Sequence, residues 1–196
     1  MIDNSDAVKL LDSKRRDSVL VATMNSNNVQ FGLPSVTTNE ALDFPLSGAM
    51  GKASSLGLGL ALAQPQRKIM VLDGDGSLLM NLGAMVTISN KAPTNLCHVL
   101  FDNGVYAVTG GQPVPGSPKT DWVDLANGAG YAAVFSFDNL EDLTTGFADA
   151  LAAKGPVFIH LAITPQIENT PVQFRNRPSR SVLTAFKEMP ETLRNS

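Results

Sequence analysis

Short runs of apolar residues alternate with longer stretches of helical periodicity along most of this chain. The apolar runs lie at 18–24, 68–72, 96–101, 132–137 and 157–163, and helical patterns cover 78–90, 121–128 and 140–154. Runs of this length without a polar face are typical of strands that are buried on both sides of a sheet. Their alternation with helices predicts an α/β fold, with a doubly wound, mainly parallel sheet and helices on both faces.

Two further helices are predicted in the first third of the chain. One begins at a polar capping residue among 3–5, and the other follows Met50 through a series of small residues and stops before Pro65. A glycine inside a helix costs up to about 1 kcal/mol in helix propensity. Gly57 and Gly59 therefore predict that the second helix packs very closely against another backbone or helix.

With 196 residues the chain is long enough for one well-buried domain, which we place at 1–165. Beyond it, prolines at 165, 171, 178 and 190 interrupt any long element, and arginine side chains accumulate. Residues 166–196 are therefore predicted to form a polar C-terminal arm. Two interpretations of this arm stay open, an extended segment lying across a partner and a loosely ordered terminus.

The composition excludes several classes of function. The net charge is −3 and only 17% of the residues are charged, so no basic surface for nucleic acid is implied, and a partner is expected to cover part of the surface. The single cysteine, Cys97, lies in an apolar run and excludes a disulfide framework and a cysteine-rich metal site. Without a signal peptide or an apolar run of membrane-spanning length, the sequence predicts a cytoplasmic protein with no membrane partner.

Polar residues and glycines are concentrated just after two of the apolar runs. DGDGS at 73–77 follows the run at 68–72, and DNG at 102–104 follows the run at 96–101. Two strands joined by one helix form a βαβ unit, and the carboxyl ends of such strands are where open α/β sheets bind ligands. The chemistry of this chain is therefore expected at these two clusters.

The residue types in the clusters suit a diphosphate that is held by a divalent cation. Gly74 and Gly76 allow close approach of the backbone, and Ser77 begins a helix whose free N–H groups attract phosphate. Asp75 would repel phosphate directly, but it suits magnesium, which combines one or two protein oxygens with phosphate and water; Asn103 offers a second oxygen. The simpler alternative, in which Asp75 only caps a helix, leaves the second cluster unexplained.

Further candidate contacts come from a glycine- and proline-rich loop at 104–120 that has no periodic pattern. Loops of this length in a compact domain are usually functional or mobile. Tyr106, Thr109 and Gln112 are its polar groups, and we expect them near a bound substrate. A merely flexible connection is the plainer alternative.

Four other polar features are less specific. Lys52 and the loop at 25–28 each have two interpretations, and the two histidines have a structural one. Lys52 either faces the diphosphate or an anionic substrate tail, or it extends to solvent. The loop at 25–28 ends another predicted strand, so it either borders the same site or is an ordinary turn. His98 and His160 lie within apolar runs, where hydrogen-bonded structural histidines are expected rather than bases.

GDG at 74–76, followed after 25 residues by Asp102-Asn103, resembles the motif of thiamine diphosphate-dependent enzymes. The resemblance implies that Asp75, Asn103 and the main-chain carbonyl of Val105 hold Mg2+. GAMG at 48–51 resembles a turn of the same family, in which a bulky residue separates the two cofactor rings and a turn carbonyl accepts a hydrogen bond from the aminopyrimidine. The implied contacts with thiamine diphosphate are Gly48, Met50, Gly74, Gly76, Ser77 and Tyr106.

Three longer segments narrow the resemblance: SGAMGKASSLGLGLALA, GDGSLLMNLG and DNGVYAVTGGQP. They are similar to the diphosphate-binding half of phosphonopyruvate and sulfopyruvate decarboxylases, over about residues 5–165. This implies loss of carbon dioxide from a small 2-oxo acid and release of an aldehyde. Lys52 and Ala107 depart from the pattern, which leaves the substrate open, and the candidates for substrate contact are Gln112, Thr109 and Lys52.

The resemblance also shows what this chain lacks. In the family a glutamate that activates the cofactor belongs to a separate pyrimidine-binding domain, and 196 residues leave no space for both domains; Glu40 is a poor substitute. We therefore expect one subunit of a two-subunit enzyme, whose pyrimidine-binding (alpha) partner completes the site in a hetero-oligomer. An acetolactate synthase-like carboligase subunit and a non-catalytic cofactor-binding scaffold are the alternatives. The single cysteine disfavours a 2-oxo acid:ferredoxin oxidoreductase subunit.

Overall fold

Six strands lie side by side in one parallel sheet in the computed structural model, which describes residues 1–195. They are β1 (Val19–Thr23), β2 (Asp43–Leu46), β3 (Ile69–Gly74), β4 (Leu96–Asp102), β7 (Ala133–Phe137) and β8 (Val157–Ala162), in the order β2-β1-β3-β4-β8-β7. Two short strands, β5 (Val105–Tyr106) and β6 (Gln112–Pro113), form a separate antiparallel pair. The parallel register places the carboxyl ends of β1, β3 and β4 next to one another at a single edge of the sheet.

Helices cover both faces of this sheet, so the predicted doubly wound α/β fold is confirmed. The helices are α1 (Asn4–Lys14), α2 (Ala53–Ala63), α3 (Asp75–Leu79), α4 (Ala84–Lys91), α5 (Trp122–Ala129), α6 (Leu140–Ala152) and α7 (Val182–Asn195). One apolar core contains residues of α1 and α6, and the other contains residues of α2, α4, α5 and α7. Alternate residues of the central strands point into the two cores, as Val21 and Leu20 of β1 show.

Two elements differ from the prediction. The helix expected over 78–90 is interrupted, because α3 ends at Leu79 and α4 begins at Ala84. In the turn between them, the Asn81 amide donates to the carbonyl of Gly51 and to Ser55 Oγ. The break therefore places Asn81 in contact with the turn at 48–51 and with the start of α2. Strand β2 was not predicted, since its four residues contain a proline and lie at an edge of the sheet.

The glycines of α2 have different surroundings. A Cβ on Gly57 would lie 2.2 Å from Val71 Cγ2, which confirms the predicted close packing, here against β3. The same prediction is wrong for Gly59, because this residue is exposed and a Cβ there would meet no atom within 4 Å. Only one of the two glycines is therefore required by the packing of this chain.

This difference predicts opposite effects of the two alanine substitutions. Gly57→Ala should lower the free energy of unfolding by about 1–3 kcal/mol, because the added methyl group overpacks the contact with β3. Gly59→Ala should raise it by about 0.5–1 kcal/mol, because alanine loses less conformational entropy in a helix. Urea denaturation of both variants measures the two effects, and equal destabilisation would contradict the packing described here.

The C-terminal segment is not an extended arm over its last part. Helix α7 packs against β2, with Ala185 and Met189 buried in the core and the rings of Phe44 and Phe186 4.6 Å apart. Arg180 Nε donates to the Asp43 carbonyl at 3.1 Å. The boundary at residue 165 stays a prediction, and the expected extended arm is corrected for residues 182–195, which form part of the fold.

The composition led to two expectations, that Cys97 lies in the core and that no segment spans a membrane. Cys97 is fully buried, and burial raises the pKa of its thiol to about 12, as expected for a core cysteine. Within residues 1–195, no helix has both the length and the apolar character that crossing a membrane requires. The cytoplasmic location stays a prediction.

Candidate cofactor and metal site

A cleft enclosing about 460 Å³ of space, part of it open to solvent, lies where β1, β3 and β4 end. The structure brings most of the predicted site residues together in its walls. Those that line the cleft are Met50, Gly74, Asp75, Gly76, Ser77, Asn103, Val105, Tyr106 and Thr109. The two polar clusters of the sequence, 25 to 31 residues apart in the chain, therefore form one site.

Three predicted site residues lie outside the walls of this cleft. Gly48 lines a neighbouring cavity, which shares Met24 and Val108 with the cleft. Lys52 is exposed at the N-terminal end of α2. Gln112 is exposed too, and its side chain forms two hydrogen bonds with Thr109. Gln112 Nε2 donates to the Thr109 carbonyl at 3.0 Å, and the Thr109 hydroxyl donates to Gln112 Oε1 at 3.2 Å.

The segment after β4 folds around the Asp75 side chain. The Gly104 N–H donates to Asp75 Oδ2 at 2.8 Å, and the Val105 N–H donates to Asn103 Oδ1 at 3.0 Å. These contacts place the carboxylate, the amide oxygen and the Val105 residue in one wall of the cleft. Each hydrogen bond uses one lone pair of its acceptor, so further lone pairs of both oxygens remain for a cation.

Burial, together with the nearby Asp102 carboxyl, raises the pKa of Asp75 to about 7. Asp102 shares a side-chain hydrogen bond with Asp75. Although burial alone would raise its pKa, hydrogen bonds from His160 and Asp75 hold the pKa of Asp102 below its usual range. Without a cation, Asp75 therefore holds a proton more readily than a solvent-exposed aspartate does.

Both histidines are hydrogen-bonded, as the sequence predicts. His160 Nε2 lies 3.1 Å from Asp102 Oδ2, and its Nδ1 lies 2.9 Å from Ser136 Oγ. His98 is fully buried, with Nδ1 2.8 Å from the Tyr131 hydroxyl and Nε2 3.5 Å from Asp73 Oδ2. His98 thereby contacts Asp73, which lines the cleft, and His160 contacts Asp102, the neighbour of the Asp75 carboxyl.

A hydrogen bond joins the two motifs that the sequence singles out. The Gly51 N–H, at the end of the GAMG turn, donates to Ser77 Oγ at 3.1 Å, one residue beyond the GDG motif. Asn81 holds the carbonyl of the same glycine at 3.1 Å. Gly51 has φ +73 and a Cβ there would lie 2.9 Å from Met80 Cβ, so this turn requires glycine. Met50 is thereby fixed in the wall of the cleft opposite the strand ends.

The loop after β1 contributes a further wall, which settles the open interpretation of residues 25–28. Met24, Asn25 and Ser26 line the cleft, and Ser26 Oγ donates to the Leu72 carbonyl at 2.7 Å. Met24 has φ +52, a conformation that is costly for a side chain of this size. In the sequence, this wall is indicated only by its place after a predicted buried strand, since the two polar clusters also follow such strands.

The residues present fit a magnesium ion and a diphosphate. Asp75 is 3% exposed, and its buried carboxyl has no cation against it among residues 1–195. The donor set of one carboxylate, one amide oxygen and one carbonyl is the all-oxygen type that magnesium prefers, with phosphate and water completing the octahedron. Gly76 leaves the backbone bare at the cleft, because a Cβ would lie 2.4 Å from Tyr106 Cε1.

The two glycines of GDG should therefore respond differently to substitution. Gly76→Ala should lower the free energy of unfolding by about 1–3 kcal/mol and displace Tyr106. Gly74→Ala should change it by less than about 0.5 kcal/mol, because a Cβ there meets only Ser77 Cβ, at 4.0 Å. Thermal unfolding of the cofactor-free variants makes the comparison, and a Gly74→Ala variant as unstable as Gly76→Ala would contradict it.

Comparisons with known proteins show the family of this chain. Residues 23–161 match the family model for thiamine pyrophosphate enzymes, C-terminal TPP binding domain. A phosphonopyruvate decarboxylase of Streptomyces hygroscopicus is 49% identical over 122 residues, 62% of this chain and 30% of that protein. Sulfopyruvate decarboxylase subunit beta of Methanothermobacter thermautotrophicus is 37% identical over 179 residues, 88% of each chain. The solved thiamine diphosphate-dependent 4-hydroxybenzoylformate decarboxylase of Rhodococcus jostii RHA1 has a TM-score of 0.64 at 21% identity, covering 86% of this chain and 33% of its own.

The extent of these matches differs among the relatives. The chain spans 30% and 38% of two phosphonopyruvate decarboxylases, but 88% of the sulfopyruvate decarboxylase beta subunit. The structural neighbour, at 21% identity, shares the fold. From the family match over residues 23–161 and the relative that is matched over nearly its whole length, the chain belongs to the thiamine pyrophosphate enzyme family, whose C-terminal TPP binding domain it carries.

Proposed function

We propose that this chain is the diphosphate- and magnesium-binding subunit of a two-subunit thiamine diphosphate-dependent 2-oxo acid decarboxylase. The observation that carries the proposal is the buried Asp75 carboxyl, enclosed by residues 103–105 in a cleft that also contains Met50 and the bare backbone of Gly76. A buried acid without a cation is costly, and a metal-bound diphosphate explains both the acid and the glycine.

Each part of the cleft has a distinct role in this proposal. Asp75, Asn103 and the Val105 carbonyl would hold Mg2+, while Gly76 and Ser77 would bind the diphosphate through backbone N–H groups. Gly74 lines the cleft as well, but its N–H donates to Asp73 Oδ1 at 3.0 Å. When bound, thiamine diphosphate supplies the electron sink that loss of carbon dioxide from a 2-oxo acid requires. The residues of this chain bind it, orient it and exclude water.

The remaining contacts concern the cofactor rings and the substrate. Met50 would separate the two cofactor rings and Tyr106 would contact the cofactor from the wall of the cleft. Gly48, which lines the neighbouring cavity, would accept a hydrogen bond from the aminopyrimidine through its carbonyl. Thr109 is the candidate for substrate contact that lies in the wall of the cleft. Gln112 would act through Thr109, to which it is hydrogen-bonded, and Lys52 would have to reach the site from solvent.

The proposal requires a pyrimidine-binding (alpha) partner that supplies the catalytic glutamate. Among residues 1–195, no glutamate lines the cleft. Glu40 lies beside a separate cavity and accepts a hydrogen bond from Ser179, so it is not placed to act. The Methanothermobacter relative, matched over 88% of its length, is itself named as a beta subunit, which supports a hetero-oligomer.

The experiment that tests this function is an assay of the chain co-expressed with its genomic neighbour, with thiamine diphosphate and Mg2+. The substrates are 2-oxo acids that carry phosphonate, sulfonate, carboxylate or apolar tails. Release of carbon dioxide with an aldehyde in equal amount is the expected result. A carbon–carbon coupled product instead would identify the acetolactate synthase-like carboligase, and cofactor binding without any product would identify a scaffold subunit.

A further inference from the structure

Residues 166–176, which we call the strap, run from the end of the sheet along the outside of the cleft. They contact both of the loops that flank it, the one after β1 and the one that begins with β5. A segment that touches both walls of a cleft sets the distance between them. The strap lies after the region that matches the family model, which ends at residue 161.

The first wall is held through two of the three asparagines of the loop after β1. Asn25 Nδ2 donates to the Gln166 carbonyl at 3.3 Å, and Asn28 Nδ2 donates to Glu168 Oε2 at 3.4 Å. The strap is itself anchored here, because Gln166 Nε2 donates to Asp3 Oδ2 at 2.6 Å. Asn25 lines the cleft, so this contact reaches the candidate site directly.

The second wall is held through main-chain carbonyls. The Glu168 N–H donates to the Ala107 carbonyl at 2.9 Å, and Arg175 Nη1 donates to the Val108 carbonyl at 3.0 Å. Ile167 lies against Gly111, where a Cβ would be 2.5 Å from its Cδ1. Ala107 and Val108 line the cleft immediately after Val105 and Tyr106.

Arg175 connects the strap to this wall with a single guanidinium. Besides Val108, it donates from Nε to the Thr170 carbonyl at 2.6 Å and from Nη2 to the Glu168 carbonyl at 3.3 Å. Three carbonyls from two segments thus converge on one planar fork. Hydrogen bonds from a charged donor are about twice as strong as neutral ones, and a lysine cannot reproduce the arrangement because its charge is a single point.

The tip of this wall is held by hydrogen bonds within its own loop, such as the Gly111 N–H to the Tyr106 carbonyl at 3.1 Å, and the strap adds contacts from outside the loop. Thr109, Gly110 and Gln112 are exposed, and Gly110 and Gly111 have φ of +110 and +82. A flexible wall must be ordered when a ligand binds, and that cost weakens the affinity. If only a fraction of the molecules have the ordered wall, the apparent dissociation constant equals the intrinsic dissociation constant divided by that fraction.

We propose that Arg175 is a positioning residue, which acts through the strap to hold residues 105–109 in the conformation that binds thiamine diphosphate. This proposal rests on the proposed function of the cleft. It assigns a role in the site to a residue that does not line the cleft itself.

The test compares Arg175→Gln and Arg175→Lys with Arg177→Gln in the complex with the partner subunit. Arg177 is an exposed arginine two residues further on, with no hydrogen bond to the residues described, and is the matched control. Calorimetric titration with thiamine diphosphate at saturating Mg2+ should show about a tenfold higher Kd for both Arg175 variants and an unchanged Kd for Arg177→Gln. Amide hydrogen exchange over 105–112 should become faster only in the Arg175 variants.

Chemical rescue separates positioning from a general loss of stability. Millimolar guanidinium should restore most of the affinity of an Arg175→Ala variant and leave Arg177→Ala unaffected. Arg175 variants that melt at a lower temperature but bind the cofactor with the wild-type Kd would overturn the proposal. A wild-type complex that does not bind thiamine diphosphate would instead overturn the proposed function, and the two failures are therefore distinguishable.

Discussion

Asp75→Asn is expected to abolish magnesium-dependent binding of thiamine diphosphate and, at neutral pH and above, to make the cofactor-free chain more stable. The variant keeps the shape of the side chain, including an oxygen that can accept from Gly104, but it removes the charge that the cation requires. Loss of groups that only support metal ligands already costs about 10–100-fold. For the carboxylate itself we expect a loss of turnover of at least about 1,000-fold.

The stability effect follows from the direction of the pKa shift. Burial raises the pKa of Asp75 in the folded chain to about 7, above the value in the unfolded chain. The unfolded state therefore releases its proton first, and as the pH rises from about 4 to about 7 the folded state loses stability relative to it. The loss is on the order of 3 kcal/mol and is complete above the folded pKa.

Urea denaturation of the metal-free proteins at several pH values measures this effect. The free energy of unfolding of Asp75→Asn minus that of the wild type should be small near pH 4 and largest above pH 7. Asp149→Asn, an exposed aspartate of α6, is the control and should follow the wild type at every pH. An Asp75→Asn variant less stable than the wild type at pH 8 would contradict the conclusion that the buried, ionised Asp75 carboxylate destabilises the metal-free chain.

The second large effect concerns the partner subunit. The isolated chain should bind the cofactor weakly and turn over 2-oxo acids at least about 100–10,000-fold more slowly than the complex, the range that a general acid–base group contributes. The structural reason is that none of the described residues lining the cleft is glutamate. Initial rates with increasing amounts of the partner, at fixed concentration of this chain, give the measurement, and activity should saturate at a defined ratio.

Glu168 provides the sharpest control for this prediction. It lines the cavity next to the cleft and is 8% exposed, so it is the one glutamate of this chain beside the site within residues 1–195. Its carboxylate accepts from the Thr170 N–H through Oε1 and from Asn28 Nδ2 through Oε2, and a glutamine can keep the first bond while it loses the longer contact with Asn28. Glu168→Gln should therefore keep the activity of the complex within about tenfold. Full activity of the isolated chain, lost in Glu168→Gln, would show that this chain carries its own glutamate.

The sequence predicted the parts of the site that depend on local pattern. The polar clusters at 73–77 and 102–104 follow uninterrupted apolar runs, and parallel pairing of β3 and β4 brings them together for the reason the βαβ pattern implies. Met50 was placed through the resemblance of GAMG to a turn of the family, although the hydrogen bond from Gly51 to Ser77 that fixes it is a tertiary contact.

The features that the sequence did not predict depend on contacts between distant segments. Strand β2 is short, contains Pro45 and is recognisable only beside β1. The break after Leu79 follows from the contact of Asn81 with Gly51, 30 residues earlier in the chain. The strap had no signal, because the hydrogen bonds of Arg175 use main-chain carbonyls whose positions no residue type specifies.

The most direct test of the central claim is to locate the metal. Crystals of the complex grown with thiamine diphosphate and Mn2+, a substitute for Mg2+ with a measurable anomalous signal, would show the ion by its position. We predict one peak per site within about 2.0–2.4 Å of oxygens from Asp75, Asn103 and Val105, and in contact with the diphosphate. A cofactor bound in the cleft with its metal held by other residues, or with no metal, would contradict the account.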